Sequence, residues 1–219
     1  MLAVQGPNAP ALVAEFFPAA RDIPRFGAAE IPYGGETAIV MHTGYTGEDG
    51  FEVALSPAGI GAFWDELTAR GGRHGLVNCG LGSRDTLRLE AGYLLYGADA
   101  DATRMPYEAN CGWVVKMKKG DFIGREALAR RKEAGFREKL TGVRLLGRGV
   151  PRAGCSVWQG DRRIGALTSD TFAPSLQSGI GVGYLASDAW EPATRVEVEI
   201  HGSRVEAETV RGAFRKNSV

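Results

Sequence analysis

With 219 residues, 44% of them apolar, the chain can form one sizeable core or two modest ones, as an ordinary soluble globular protein does. Its 26 basic and 26 acidic residues cancel, which argues against a general affinity for nucleic acid or an anionic membrane. No run reaches the ~18 apolar residues of a membrane-spanning helix.

Residues 1–7 carry no basic leader, so neither a signal nor a transit peptide is read there. Cys79, Cys111 and Cys155 are odd in number and far apart, which is poor material for a disulfide framework. A reducing, cytoplasmic location is the expectation. Basic residues gather at 125–131 and 204–216, but acids or apolar residues interrupt each group, as on a solvated face.

Residues 2–4 read as a short strand. Asn8 is placed to cap a helix running to about Phe17, with Pro10 in its first turn. Residues 18–35 are rich in Pro and Gly, with brief extended pieces. Residues 37–42 and 51–55 read as strands around a Gly-rich turn at 44–50. Ser56 and Pro57 start a helix whose apolar face is Ile60, Phe63, Trp64 and Leu67. A further helix is predicted over 83–91, with Gly92 as its left-handed cap. Residues 113–117 read as a strand and 125–133 as a helix stopped by Gly135. From about 136–139 onward the character changes to short alternating segments at 140–145, 156–159, 163–168, 181–185, 195–200 and 204–210. Turns at 159–162 and 201–203 make this the pattern of a small all-β barrel or sandwich.

Two blocks carry candidate chemistry. In Gly44-Tyr45-Thr46-Gly47-Glu48-Asp49-Gly50-Phe51-Glu52, the glycines allow a sharp turn or a close approach to a ligand. Strand alternation puts Glu52 on the face opposite Phe51 and Val53. It is then either a solvent-facing glutamate or a pocket carboxylate able to accept two N–H bonds from a pterin or guanidine-like edge. The second block, residues 79–92, places Arg84 and Arg88 on one helix face, either near exposed amide donors or in surface ion pairs with Asp85. Gly80-Leu81-Gly82 lacks the third glycine of a dinucleotide fingerprint. Tyr93, Tyr96, Tyr107 and Trp113 follow the helix, either as core or as a stacking platform for a flat heterocycle. The histidines at 42, 74 and 201 have no metal-ligand spacing, and there is no nucleophile elbow or P-loop.

These blocks continue with Leu2–Pro7, Leu95-Tyr96-Gly97, Gly112-Trp113, residues 121–128, residues 147–152 and residues 168–176. In that order the chain resembles, over essentially its whole length, the aminomethyltransferase family of the glycine cleavage system, the T-proteins. The resemblance implies an α+β fold. Residues 1–137 would hold parts of two α+β lobes, divided near 85–90, and residues 138–219 a small C-terminal antiparallel β-barrel. It implies a transferase that takes the aminomethyl group from the lipoyl arm of H-protein to tetrahydrofolate and releases ammonia. Tetrahydrofolate enters as a substrate, lipoylated H-protein is the partner, and no metal, nucleic acid or membrane is involved. By resemblance, Glu52 bonds the pterin edge, Arg84 fixes the folate or the cavity wall, and Tyr45, Tyr96 and Trp113 line the cavity.

The family pattern extends well upstream of the Leu-Ala-Val-Gln-Gly-Pro block and holds there an aspartate that assists the reacting N5 of folate. No residue of this chain occupies that motif, so no catalytic residue is named. Ser83 stands where the family usually has alanine, Asp170 interrupts its Thr-Ser-Gly, and the tail at 214–216 lacks its frequent tyrosine. Two alternatives stand beside the enzyme: a non-catalytic fragment that binds folate or H-protein, and the folate-binding part of a dimethylglycine or sarcosine oxidising enzyme.

Overall fold

The computed structural model describes residues 1–215. It contains two compact units, Met1–Leu87 and a second that begins at Arg88. Residues 216–219, the end of the expected barrel segment, lie outside the described residues.

In the first unit the elements run β1 (Leu2–Gln5), α1 (Ala9–Val13), β2 (Ala28–Tyr33), β3 (Glu36–Met41), β4 (Gly50–Ala54) and α2 (Pro57–Gly71). The four strands form an antiparallel sheet in the order β1-β4-β3-β2. One sheet face carries Val4, Val40, Phe51 and Val53 into a core shared with Leu12, Phe17, Phe63 and Leu67. Phe17, Tyr33 and Phe63 meet there with ring centroids 5.1–5.5 Å apart. The start of α2 is as expected: the Ser56 hydroxyl oxygen accepts the Gly59 N–H at 3.1 Å. That hydroxyl also donates to Glu36, tying the helix start to β3.

Four local expectations differ. The side-chain amide of Asn8 caps nothing and instead donates to the His74 carbonyl at 3.0 Å. The first helix ends at Val13, and a 3-10 turn, Pro18–Asp22, follows it. Trp64, 42% exposed, is turned away from the face that buries Phe63 and Leu67, being one residue, hence about 100° of helix, from Phe63. The Pro-rich stretch contains a full strand, β2, joined to β3 by the two-residue Gly34-Gly35 turn. Pro32 is tolerated because β2 is an edge strand.

A polar tie fastens α1 to the end of α2. Glu15 bonds His74 at 2.7 Å and also pairs with Arg73. These bonds, from His74 first and Arg73 second, hold the Glu15 carboxyl below the usual carboxylate range.

The helix α3 (Leu81–Glu90) leads into the second unit, and Gly92, at φ +74°, takes the predicted left-handed conformation beyond its end. Residues 113–117 are not a strand: Trp113 sits in a short 3-10 turn, Gly112–Val114. Then come α4 (Arg125–Glu133) and six strands: β5 (Glu138–Leu145), β6 (Ser156–Gln159), β7 (Arg162–Ala173), β8 (Ser178–Ala186), β9 (Arg195–Ile200) and β10 (Ser203–Val210). They close into an antiparallel barrel in the order β10-β5-β8-β7-β6-β9. Its interior includes Val143, Leu145, Val157, Leu185 and Val198.

A buried ion pair organises the approach to the barrel. Arg88, 2% exposed, donates to fully buried Asp99 at 2.7 Å. The guanidinium also donates to the Ser169 hydroxyl on β7 and the Tyr93 carbonyl. Asp99 further accepts the Leu95 N–H and the Thr168 hydroxyl, while its carbonyl accepts the Tyr184 hydroxyl from β8. Burial pushes the Tyr184 hydroxyl up to about 12. Arg88 is therefore a buried residue paired with Asp99, not the surface cation that its spacing allowed.

Two outcomes are expected. Asp99→Ala removes the buried carboxylate that Arg88 donates to and lowers unfolding stability by about 3–5 kcal/mol, whereas the Arg88→Met, Asp99→Leu double replacement recovers much of that loss; urea unfolding followed by fluorescence reads both. The Glu15 pairing contributes stability above the ordinary carboxylate pKa and loses it as pH falls through the depressed folded value. Glu15→Gln therefore lowers stability at neutral pH and flattens its decline in acid, as read by unfolding at stepped pH.

Candidate functional site

The Gly-rich turn between β3 and β4 is closed by β1. Gly50 adopts φ +156°, and a Cβ there would stand 2.3 Å from the Val4 carbonyl oxygen, so only glycine fits. The Gln5 side-chain amide donates to the carbonyls of Thr43 (3.1 Å) and Phe51 (3.2 Å), and its oxygen accepts the Thr46 hydroxyl. The Gly6 N–H donates to the Asp49 carbonyl at 2.8 Å. The end of one strand thereby sets the shape of the turn that presents Tyr45.

Glu52 lies on β4 opposite Ala3 and Met41, half-buried, on the sheet face away from Phe51 and Val53. The alternation expected for this strand is what the fold shows. Its Oε2 accepts the Thr43 hydroxyl at 2.5 Å. A carboxylate offers about four lone-pair positions, so acceptor capacity remains for a ligand N–H.

Tyr45 and Arg84 come together: the guanidinium stands 4.7 Å from the ring centroid. Arg84, near the start of α3, is exposed, in contrast to buried Arg88 one helical turn on. It also borders a groove of about 530 Å³ lined by β1, α2 and residues 76–87, where Trp64, Val77 and Leu81 expose apolar surface. Glu52 is not among the residues lining that groove. A guanidinium at the rim of an apolar groove suits a flat molecule with an anionic end.

Tyr96 and Trp113 belong to the second unit, where they are 74% and 72% exposed. Neither is a core residue, which removes the packing alternative for these two rings. Tyr107, by contrast, stacks on Phe136 with centroids 6.0 Å apart.

Sequence reasoning missed the groups that hold the site. Thr43 was not singled out. His42 was weighed only as a metal ligand, yet its Nε2 meets Asp49 Oδ1 at 2.7 Å, its Nδ1 meets the Ile23 carbonyl at 2.9 Å, and its ring stacks on Phe51. The bond from His42, helped by the Gly50 N–H, holds the Asp49 carboxyl below its usual range. The available signal was position: residues flanking a tight turn at the ends of two paired strands face each other. Asp170, noted only as a departure, braces the barrel loop by accepting from Arg152 (3.1 Å) and the Ala153 N–H (2.7 Å). Among the described residues no group of three or more His, Cys, Asp or Glu is arranged to hold a metal ion. No described helix is long and apolar enough to cross a membrane.

Comparison with known proteins places the chain in a family. Residues 1–119 match the family model for the GCVT N-terminal domain, and residues 138–216 that for the glycine cleavage T-protein C-terminal barrel domain. The chain is 38% identical over 219 residues to an aminomethyltransferase of Pseudothermotoga lettingae, matching 100% of this chain and 60% of that protein. An aminomethyltransferase of Chlorobium phaeovibrioides is 44% identical over 206 residues, 93% of this chain and 56% of the relative. The crystal structure of glycine cleavage system aminomethyltransferase T from Bartonella henselae superposes with a TM-score of 0.86 at 30% identity, over 96% of this chain and 58% of that one. The chain thus spans about 60% of the length of such relatives. On two family models, these identities and the shared barrel, the chain belongs to the glycine cleavage T-protein, or aminomethyltransferase, family.

Proposed function

We propose that this chain carries part of the folate site of an aminomethyltransferase that moves a methylene unit from the aminomethyl-lipoyl arm of H-protein to tetrahydrofolate. The observation that carries the reading is the half-buried Glu52 carboxylate, held by Thr43 at the foot of the Tyr45 turn. In this reading Glu52 accepts N–H bonds from the pterin edge, and such charge-assisted bonds fix orientation as well as affinity. The Tyr45 ring, braced by Arg84, gives the heterocycle a flat apolar contact. Tyr96 and Trp113 offer further exposed aromatic surface, and we assign them the same role. A cytoplasmic setting fits three cysteines that are all unpaired.

The chemistry breaks the carried carbon's bonds to its amine and to the lipoyl sulfur, releases ammonia and the dihydrolipoyl thiol, and forms bonds from that carbon to folate N5 and N10. The residues named here contribute positioning, which converts an encounter of two reactants into a step within one complex. Proton movement at N5 and at the leaving amine needs an acid–base group within hydrogen-bond reach. We assign that role to none of the residues of this chain.

Tetrahydrofolate titrated calorimetrically into the purified chain is expected to bind saturably. Glu52→Ala should weaken binding by about tenfold or more, the worth of a hydrogen bond to a charged group, and Arg84→Ala by a few-fold. A folded chain that takes up no tetrahydrofolate overturns the reading. Saturable binding without ammonia release from aminomethylated H-protein would assign this chain binding alone.

A further inference from the structure

We infer that His42 is a positioning residue whose protonated ring braces the turn presenting Tyr45 and Glu52, so that ligand binding there weakens when the imidazole loses its proton. The inference rests on the folate reading of that turn for its ligand and on geometry for its mechanism. Both ring nitrogens face oxygen acceptors. Nδ1 meets the Ile23 carbonyl at 2.9 Å, and Nε2 meets the Asp49 carboxylate at 2.7 Å. A neutral imidazole has one N–H and one lone pair, so it satisfies one of these oxygens and turns a lone pair toward the other. Only the imidazolium donates to both.

The surroundings leave the ring little freedom to escape that conflict. It lies against Phe51 with centroids 4.5 Å apart and planes 19° from parallel. The His42 backbone is fixed at both ends, its N–H to the Gly27 carbonyl and its carbonyl to the Phe26 N–H. The charged group facing the ring is the Asp49 carboxylate, and Arg25 acts on that carboxylate through its field. Moving the proton onto Asp49 is opposed, because that carboxyl is held low by His42 and by the Gly50 N–H.

The consequence reaches Glu52 through few bonds. The Asp49 oxygen that meets His42 also accepts the Gly50 N–H at 2.9 Å, at the first residue of β4. Glu52 follows two residues later. On the other side, Thr43, next to His42, donates its hydroxyl to Glu52. Deprotonation releases one of the two acceptors and with it the clamp across the turn, loosening the carboxylate and the Tyr45 ring together.

The test titrates tetrahydrofolate from about pH 6 to about pH 9 into the native chain, His42→Arg and His42→Gln. Arginine keeps its charge and several donors over that range, whereas glutamine never carries charge. Ionisation of the ligand is common to all three and cancels in their ratios. The native affinity is expected to fall about tenfold between the two ends of that pH span, the His42→Arg affinity to stay level relative to it, and His42→Gln to be weak throughout. Parallel profiles for the native chain and His42→Arg overturn the inference. A second measurement needs no ligand and no variant: nitrogen-15 NMR of the His42 ring in the native chain at neutral pH. Two protonated ring nitrogens support the brace, and a single N–H overturns it. If none of the three chains binds tetrahydrofolate, the folate reading has failed, and the ring-nitrogen spectrum alone decides the brace.

Discussion

The second unit depends on a charge that has been taken out of water. A guanidinium and a carboxylate, both almost wholly buried, are tolerable only because nearly every donor and acceptor around them is answered. Arg88 reaches forward to Tyr93 and across to Ser169, while Asp99 gathers a backbone amide, a threonine hydroxyl and, through its carbonyl, a tyrosine. These partners come from the end of α3, the loop after it, β7 and β8. Apolar packing of Leu89, Ile180 and Tyr184 against one another supplies contact area but no direction. The ion pair supplies direction, because a misplaced strand would strand a charge.

The first unit solves a different problem. Its sheet buries one face under helices and leaves Glu52 on the other, so the strand that builds the core also aims the carboxylate. The turn before it is shaped by polar side chains rather than by apolar contact. Gln5, His42 and Asp49 answer backbone groups in and around the glycine-rich segment, and the Thr43 hydroxyl donates to the Glu52 carboxylate. Precision here comes from hydrogen bonds at fixed angles, which suits the orienting role proposed for these residues.

What could be read in the residues follows from the range of the forces involved. The barrel strands were legible because alternation and Gly-rich turns are local signals; 156–159 and 195–200 coincide with β6 and β9. Ser56 and Pro57 announced α2 for the same reason. Strand β2 was hidden by Pro32, whose cost vanishes at a sheet edge that only the assembled topology reveals. Residues 113–117 misled because a short apolar run has no period of its own. The burial of Arg88 was not legible, since its partner Ser169 lies 81 residues away. Likewise, Glu52 could be placed on a face by counting, but not the Thr43 hydroxyl that holds it. Resemblance to a family named the residues near the site; the groups that restrain them emerged from the fold.

The barrel differs from the sheet in one topological respect. Each of its six strands has a neighbour on both sides, whereas among the described residues β1 pairs with β4 alone. A closed ring has no boundary at which another chain can add itself. Such a module is inert toward its neighbours at the level of backbone pairing, and its association with other parts is decided by loops and side chains. What is attached to it can therefore change without exposing a raw edge. The open sheet has no such independence: among the described residues the outer backbone groups of β1 and β2 are left for other partners to answer.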